Sequence, residues 1–373
     1  MGKIGGYSYM NTNRDLSAYE QKQFTDILRE IQKVETSKSQ RKAQTIRGTH
    51  PSEQEVHGIK KITCVLGGTG GTQLMNTLAE YLETIGYSIQ YIITSQVSYN
   101  VARTKTPIVT SLYEGVEKVL RFRSDVIFTE TSCRNPLQME ILNMLKTRFH
   151  LYTVSFQDVW DDNDTRYNEF KPNLICSPTA YCHKALQKHG YLDNEIFPYT
   201  NPAFLTIPLI KKANIDRENP KVIYISQTRL YAKEMFRDIE ILEQVYPNLD
   251  LTVQLHPNEE DYPDNKVKDK YPTVRNLLLP ENYDLIVSVN STVGLKTLLQ
   301  GVPTIFSETD FYSNLMKFYN GLPVEVDDRY ADFMECTDRN LFKSKTTSLM
   351  SLLDKQVASL KSTKSKLSRY MMS

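Results

Sequence analysis

Short runs of apolar residues alternate, from residue 60 onward, with segments whose apolar residues recur at helical spacing. In the first half of the chain these runs occupy residues 62–66, 89–94, 125–129, 151–156 and 173–177. One helical segment carries Leu74, Leu78 and Leu82, and another begins at Asn135 and Pro136, a capping residue followed by a first-turn proline. This alternation predicts a parallel sheet with helices on both faces.

The same pattern restarts after a polar stretch at residues 211–220. The apolar runs of the second half occupy residues 222–226, 251–255, 284–289 and 303–306. Two such halves predict an α/β protein with two Rossmann-like domains facing a cleft, spanning residues 56–210 and 218–335. Ligands of open α/β sheets bind beyond the carboxyl ends of the strands, so the residues after each run are the candidates for function.

The two ends of the chain are expected to be helical additions, residues 1–55 and 336–373. Ser17 and Glu20 have capping-box spacing. A single apolar stripe follows them, formed by Phe24, Ile27, Leu28, Ile31 and Val34. The stripe must pack on its own domain or on a sister subunit in a homo-oligomer. Basic residues follow this helix and also end the chain, so peripheral contact with an anionic membrane surface is an alternative for both ends.

Composition narrows these expectations. The chain has 373 residues, enough for two domains, and a net charge of +1, so no global field attracts nucleic acid. No run of roughly 18 apolar residues is present, and the first residues lack the apolar core of a secretory signal. Five cysteines are scattered without zinc-site or disulfide spacing. We therefore expect a cytoplasmic protein.

A glycine-rich loop follows the first apolar run. It consists of Gly67, Gly68, Thr69, Gly70, Gly71 and Thr72. Clustered glycines let backbone N–H groups approach a ligand, and the start of the next helix supplies positive partial charge. The loop lacks the third glycine of the dinucleotide fingerprint and the lysine of a phosphate-loop NTPase. A purely structural tight turn is the alternative interpretation.

This loop, with the following helix and the string GYSIQYI, resembles the opening of the MurG family of GT-B glycosyltransferases. The resemblance covers about 30 residues and implies that the loop lines the cleft near the acceptor and the donor phosphates. The chain departs from that family at Thr72, where MurG-like enzymes carry a histidine.

A second candidate site combines two motifs in the second half. His256 and Pro257 follow the run at 251–255, and Asn290, Ser291 and Thr292 follow the run at 284–289. Ser291 or Thr292 is placed to cap the next helix, whose free N–H groups form an anion site. A histidine at a neighbouring strand end can donate to the same phosphate.

The HP motif, NSTVGL and the following GVPTIF together resemble capsule-polysaccharide glycosyltransferases of the Kdo-transferase type and bacterial sialyltransferases. The resemblance covers roughly residues 220–310. Both groups use CMP-sugars on a GT-B frame, which implies that His256, Ser291 and Thr292 bind the donor phosphate, and that the protein acts in polysaccharide biosynthesis.

Other strand ends supply further candidates. Gln227 and Arg229 follow the run at 222–226 and are candidates for donor binding. Inverting transfer needs a general base, for which Glu130 and Asp158 are the candidate carboxylates. The sequence of residues 162–164 fits the D-x-D pattern of metal-binding GT-A enzymes, but the two-half architecture favours GT-B. No metal or other cofactor is expected.

The sequence thus predicts a glycosyltransferase that moves a sugar from a CMP- or UDP-sugar to a glycan or another hydroxyl acceptor, inverting and independent of metal. Two enzyme alternatives keep the fold and change the chemistry: a nucleotide-sugar epimerase and a polyol-phosphate transferase. A third alternative is a nucleotide-binding module without catalytic activity, since fold alone does not determine function.

Overall fold

The structure is a computed structural model of the whole chain. It describes residues 58–131, 135–157, 170–210, 214–226, 231–255, 269–274, 279–307, 310–326 and 332–371, with backbone alone from 363, and helical positions within 18–33. The chain forms two compact units. The first comprises Met1–Pro202 and Phe342–Ser373, and the second comprises Ala203–Leu341.

The first unit is built on a six-stranded sheet. Its strands are β1 (Lys61–Leu66), β2 (Ser88–Ile93), β3 (Val126–Glu130), β4 (Tyr152–Phe156), β5 (Leu174–Ser177) and β6 (Ile196–Pro198). They lie in the order β2-β1-β3-β4-β5-β6, and every pairing is parallel. Strands β3, β4 and β5 are fully buried along their length, as expected for a parallel sheet covered on both faces.

The described residues between 58 and 202 form five helices, four of which begin at a side-chain cap. The helices are α1 (Thr69–Thr84), α2 (Gln96–Val101), α3 (Leu112–Phe122), α4 (Pro136–Thr147) and α5 (Ala180–Lys188), with a 3₁₀ turn at Asp193–Glu195. Ser95, Ser111, Asn135 and Thr179 each accept a hydrogen bond from an N–H in the first turn of α2 to α5. These short polar residues satisfy N–H groups that a helix cannot pair internally. Helix α1 begins at Gly68 without a side-chain cap.

Both ends of the chain contribute to the first unit. Phe24 and Ile27, from the N-terminal helical residues, are buried in the core that contains Val116 and Ile141. These two members of the expected apolar stripe therefore pack on their own unit, whereas Leu28, Ile31 and Val34 lie outside the described residues. Oligomer formation through this helix stays a prediction.

The last helix, α9 (Arg339–Met371), also packs on the first unit. The hydroxyl groups of Thr346 and Tyr199 are hydrogen-bonded at 2.8 Å. Asp354 Oδ1 accepts a hydrogen bond from the backbone N–H of Ile59 at 2.7 Å. Leu349 and Leu353 are completely buried, so this helix is part of the core and not an appendage.

The second unit contains a five-stranded sheet. Its strands are β7 (Lys221–Ile225), β8 (Asp250–Gln254), β9 (Thr273–Val274), β10 (Leu285–Ser288) and β11 (Thr304–Phe306). They lie in the order β11-β10-β7-β8-β9, again in parallel. The helices are α6 (Ala232–Val245), α7 (Thr292–Leu299) and α8 (Phe311–Tyr319), and short 3₁₀ segments lie at Pro202–Phe204, Pro280–Asn282 and Asp332–Thr337.

The expected α/β class is confirmed, and each of the nine apolar runs corresponds to a strand, with ends shifted by about one residue. Strands β6 and β9 were not expected. They have three and two residues, too few to produce a visible apolar run.

Candidate functional site

The three motifs of the second half follow three neighbouring strands. Strand β7 lies between β10 and β8 in the sheet. Along the chain, β7 precedes Gln227, β10 precedes Ser291 and β8 precedes His256. Since the carboxyl ends of parallel strands share one edge of a sheet, the topology places the ends of these three strands at that edge. Gln227, Arg229, His256 and Pro257 themselves lie outside the described residues, as does Asp158 of the first half.

Ser291 links the end of β10 to the start of α7. Its hydroxyl oxygen accepts a hydrogen bond from the N–H of Val293 at 3.0 Å, which is the N-cap interaction expected from the sequence. Its own N–H donates to the hydroxyl oxygen of Ser288 at 3.2 Å. Ser291 is only 5% exposed. Its structural role as a cap is therefore established by geometry, and any ligand contact is additional.

Thr292 is the first residue of α7 and is half-buried, so it is more accessible than Ser291. Asn290, in the turn before the cap, is also half-buried. The first turn of α7 contains no acidic residue. A helix start without acidic side chains keeps its positive partial charge available to an anion.

Gly294 allows α7 to lie directly on the sheet. A Cβ atom at this position would lie 2.9 Å from Ser288 Cβ and 3.2 Å from Phe306 Cε1. The glycine of the NSTVGL motif is therefore a packing residue that brings the helix start close to β10. This close approach is what places the N–H of Ser291 within reach of Ser288.

Lys296 was not singled out from the sequence. It is half-buried on α7, four residues after Thr292, a spacing that places both on the same helix face. Burial lowers the pKa of its ammonium group. Its spacing of four residues from Thr292, a candidate ligand contact, could have identified Lys296 from the sequence.

A buried carboxylate ties α6 to the carboxyl ends of β10 and β11. Asp238 is completely buried and accepts hydrogen bonds from the Tyr224 hydroxyl at 2.9 Å and from Arg237 Nη2 at 2.9 Å. Arg237 Nη2 also donates to the hydroxyl oxygen of Ser307 at 2.9 Å, and the N–H of Ser307 donates to the carbonyl of Ser288 at 2.9 Å. Burial raises the pKa of Asp238 despite these hydrogen bonds.

The glycine loop of the first unit is held by hydrogen bonds on both sides. The N–H groups of Gly67 and Gly68 donate to Glu130 Oε1 at 3.1 and 2.9 Å. The Gly67 carbonyl accepts from the Ser95 hydroxyl at 2.6 Å, and the Gly68 carbonyl accepts from the Thr72 hydroxyl at 2.6 Å. Thr72 is thus a completely buried structural residue.

Only part of this loop is accessible to a ligand. Thr69 is exposed and Gly70 is half-buried, whereas Gly67, Gly68 and Gly71 are buried. Ligand contacts from the loop are therefore restricted to its Thr69–Gly70 step, at the first turn of α1. The sequence pattern did not distinguish these two residues from the others.

Glu130 is the last residue of β3 and is 2% exposed. Its Oε1 atom accepts a third hydrogen bond, from Gln138 Nε2 at 3.2 Å. Glu130 and Thr131 also line a small pocket with Ser155, Phe170 and Tyr191. The Glu130 carboxylate thus joins the glycine loop to α4 inside the first unit. Its position at the end of a strand did not predict these contacts.

The described part of the chain contains neither a metal-ligand cluster nor a membrane-spanning helix. No three histidine, cysteine, aspartate or glutamate side chains in it form a group that could hold a metal ion. Within the same residues, no helix combines the length and the apolar character needed to cross a bilayer. The D-x-D pattern at 162–164 lies outside them.

Comparison with known proteins identifies the fold. No family model matches the sequence, and no curated protein matches it. Among solved structures, a glycosyltransferase from Rickettsia africae is similar over 80% of this chain and 99% of its own, at 12% identity and a TM-score of 0.52.

Two further structures show comparable similarity. The MnaA protein of S. aureus in complex with UDP is similar over 78% of this chain and 95% of its own, at 12% identity and a TM-score of 0.51. A protein provisionally named UDP-N-acetylglucosamine 2-epimerase from Listeria monocytogenes is similar over 76% of this chain and 92% of its own, at 12% identity and a TM-score of 0.50. The expected fold class, two Rossmann-like domains of the GT-B type, is confirmed.

Proposed function

We propose that this chain is a glycosyltransferase that moves a sugar from a CMP- or UDP-sugar to a hydroxyl group of a glycan or another acceptor. The observation that carries the proposal is the start of α7. There a capped, acid-free first turn follows a strand at the ligand-binding edge of the second sheet. The similarity to a glycosyltransferase and to a UDP-bound protein supports a nucleotide-sugar substrate.

In this proposal the second unit binds the donor phosphate. The hydroxyl and N–H of Thr292 contact the phosphate directly, and Ser291 holds the helix start in place. His256, Gln227 and Arg229 supply further contacts from the neighbouring strand ends. Charge-assisted hydrogen bonds of this kind contribute about 1.5–3 kcal/mol each, so two or three of them are enough to orient a donor.

The acceptor hydroxyl is deprotonated by a carboxylate of the first half, for which Asp158 and Glu130 are the two candidates. Transfer inverts the anomeric carbon and requires no metal, because the helix start of α7 and the basic side chains offset the charge of the leaving phosphate. The synthesis of a capsule or another polysaccharide is the process that this chemistry suits.

One alternative has a specific observation in its favour. A protein provisionally named a UDP-N-acetylglucosamine 2-epimerase is about as similar in structure as the glycosyltransferase. An epimerase would invert a sugar carbon while the sugar stays on its own nucleotide. A transferase releases the nucleotide, and in the absence of acceptor it hydrolyses the donor slowly.

The proposal is tested in two steps. First, a thermal-shift panel of CMP, UDP, CDP and GDP identifies the bound nucleotide, because a ligand that binds only the folded state raises apparent stability. Second, the matching nucleotide-sugars are incubated with the protein and the products are separated. Free nucleotide and free sugar support a transferase, and an epimerised nucleotide-sugar supports the epimerase. Release of a polyol phosphate from a CDP-polyol, or binding without turnover, would contradict both.

A further inference from the structure

The helices that follow β7 and β10 lie on opposite faces of the second sheet. Tyr224 of β7 is hydrogen-bonded to Asp238 of α6 and is in register with Val287, the residue before Ser288. Ser288 itself lies against Gly294 of α7. Since successive strand residues point to opposite faces, α6 covers one face and α7 the other. Neighbouring parallel strands of this kind leave a crevice at their carboxyl ends, where open α/β sheets bind ligands.

Arg237 of α6 reaches the carboxyl edge of the sheet. Its Nη2 atom donates to the carbonyl and the hydroxyl oxygen of Ser307, the residue directly after β11, at 3.3 and 2.9 Å. The N–H of Ser307 donates to the carbonyl of Ser288 at 2.9 Å, and the hydroxyl oxygen of Ser288 accepts from the N–H of Ser291 at 3.2 Å. Arg237 is therefore joined by hydrogen bonds to the turn that caps α7.

The guanidinium group of Arg237 is fixed on one side and exposed on the other. Its Nε and Nη2 atoms both donate to Asp238 Oδ1, at 3.2 and 2.9 Å. Asp238 is completely buried, whereas 54% of the Arg237 side chain is exposed. The Nη1 atom donates to none of the described residues. A guanidinium that is already held in place loses little freedom on binding an anion, and Nη1 has two N–H bonds to offer.

We propose that Arg237 binds a second anionic group of the donor, separate from the phosphate at the start of α7. The inference rests on the proposed function, because it completes the donor site of that reaction. Arg237 and α7 approach the edge from opposite faces, so each contacts its own part of the ligand. Ser307 and Ser288 end neighbouring strands, which lie about 4.8 Å apart, a separation that one nucleotide-sugar spans.

Both classes of proposed donor can carry a second anionic group. A UDP-sugar has two phosphates, and a CMP-sugar whose sugar is an acid has one phosphate and one carboxylate. An arginine side chain recognises either group through charge-assisted hydrogen bonds. The chemistry of Arg237 is therefore the same for both sources, and the two are separated by the ligands used in the test.

Two variants and one control test this assignment. Arg237→Gln removes the positive charge, and Arg237→Lys keeps a charge beside Asp238 but has no second nitrogen for the ligand. Arg121→Gln is the matched control, because Arg121 lies in the first unit, is 57% exposed and donates to Glu117 Oε1 through Nε at 2.9 Å. Dissociation constants are measured by calorimetric titration for two ligand pairs, UMP with UDP and CMP with CMP-N-acetylneuraminate.

Wild type should bind the ligand with the second anionic group more tightly in one of the two pairs, and that pair identifies the source. Arg237→Gln should weaken the binding of this ligand about 10- to 150-fold, the effect of losing a hydrogen bond between charged groups. The dissociation constant of the matching monophosphate should not change. Arg237→Lys should lose the same preference, and Arg121→Gln should match wild type for all four ligands.

Three results would overturn the assignment. The first is a folded Arg237→Gln protein that keeps the preference of wild type. The second is an equal loss for both members of the pair, which would make Arg237 only a counter-ion of Asp238. The third is a wild-type protein without preference in either pair. If Arg237→Gln does not fold, Arg237→Lys decides by the same comparison.

The titration needs neither an acceptor nor turnover, so its failure differs from a failure of the proposed function. Sugar transfer by wild type together with an unchanged preference in Arg237→Gln would contradict the role of Arg237 alone. The expected loss of preference without any sugar transfer would contradict the transferase alone. A wild-type protein that binds none of the four ligands would contradict both.

Discussion

Ser291 and Thr292 are adjacent in the sequence, yet the structure predicts different consequences when each hydroxyl is removed. Ser291 is buried and caps α7, whereas Thr292 is half-buried at the first helical position. Ser291→Ala should therefore reduce stability as well as donor use. Thr292→Val keeps the branched shape of the side chain and should reduce donor use alone.

The magnitudes follow from the contacts. Loss of the bond between the Ser291 hydroxyl and the Val293 N–H, 3.0 Å long, should cost about 1 kcal/mol of unfolding free energy. This corresponds to a decrease of about 2–4 °C in the melting temperature. Loss of one hydrogen bond from Thr292 to a charged phosphate should cost about 1.5–3 kcal/mol, which is roughly a 10- to 150-fold increase in the donor dissociation constant.

The assay combines thermal denaturation with nucleotide titration, and it has a matched control within the chain. Ser111 caps α3 of the first unit by accepting a hydrogen bond from the Glu114 N–H at 3.2 Å, so Ser111→Ala removes a similar cap from the unit that does not contain the proposed donor site. It should lower stability and leave donor affinity unchanged. If Thr292→Val is folded and binds every nucleotide as wild type does, α7 is not the phosphate site and the functional proposal loses its main support.

Four further predictions concern the donor site, the metal, the last helix and pH. His256→Ala should weaken donor binding about 10- to 150-fold. The free-energy losses of His256→Ala and Thr292→Val should add to less than their sum in the double mutant, because both residues are proposed to bind one phosphate. Full additivity of the two losses in nucleotide titration would place the residues in separate sites. Turnover should survive EDTA, and its loss with recovery on adding Mn²⁺ would point to a metal enzyme instead. Truncation after residue 341 removes the buried Leu349 and Leu353, so the first unit should unfold and become sensitive to protease. Truncation after residue 360 removes only the exposed ion pair of Lys361 with Asp125 and should cost about 0–1 kcal/mol of unfolding free energy. Equal resistance of both truncated proteins to protease would contradict the packing of α9. Burial raises the pKa of Asp125, but hydrogen bonds from the Lys361 ammonium and from two backbone N–H groups outweigh it and lower the pKa below its usual value. A carboxyl group whose pKa is lowered by folding stabilises the protein above its unfolded-state pKa, and this stability is lost as the pH falls through its folded-state pKa. Asp125→Asn should therefore reduce the loss of stability below about pH 4 in acid denaturation. An unchanged acid transition would refute this prediction.

The sequence predicted the strands well because each long strand is a run of apolar residues bounded by polar ones. Burial on both faces of a parallel sheet produces such runs, and β3, β4 and β5 are buried along their whole length. The start of α7 was also predictable, since a serine between an apolar run and a helical pattern is a local signal.

The role of Glu130 could not be predicted in the same way. Its position after an apolar run indicated a ligand-facing carboxylate, but its hydrogen-bond partners Gly67 and Gly68 are more than sixty residues earlier in the chain. In the sequence, Thr72 is a departure from a family pattern. In the structure, its hydroxyl group donates a hydrogen bond to the carbonyl of Gly68, so the residue has a structural role. Contacts of these kinds depend on how helices and strands pack, which local pattern does not encode.

The path of the chain has a consequence for biosynthesis. The first unit is interrupted after Pro202 and completed only by the segment that begins at Phe342, so the second unit is an insertion between two parts of the first. Domains usually fold in the order in which the ribosome releases them. Here the second unit is fully synthesised while the first still lacks α9, the helix that carries the buried side chains of Leu349 and Leu353. The unit that begins first is therefore the one that finishes last, and until then the surface that α9 covers is exposed to chaperones and proteases.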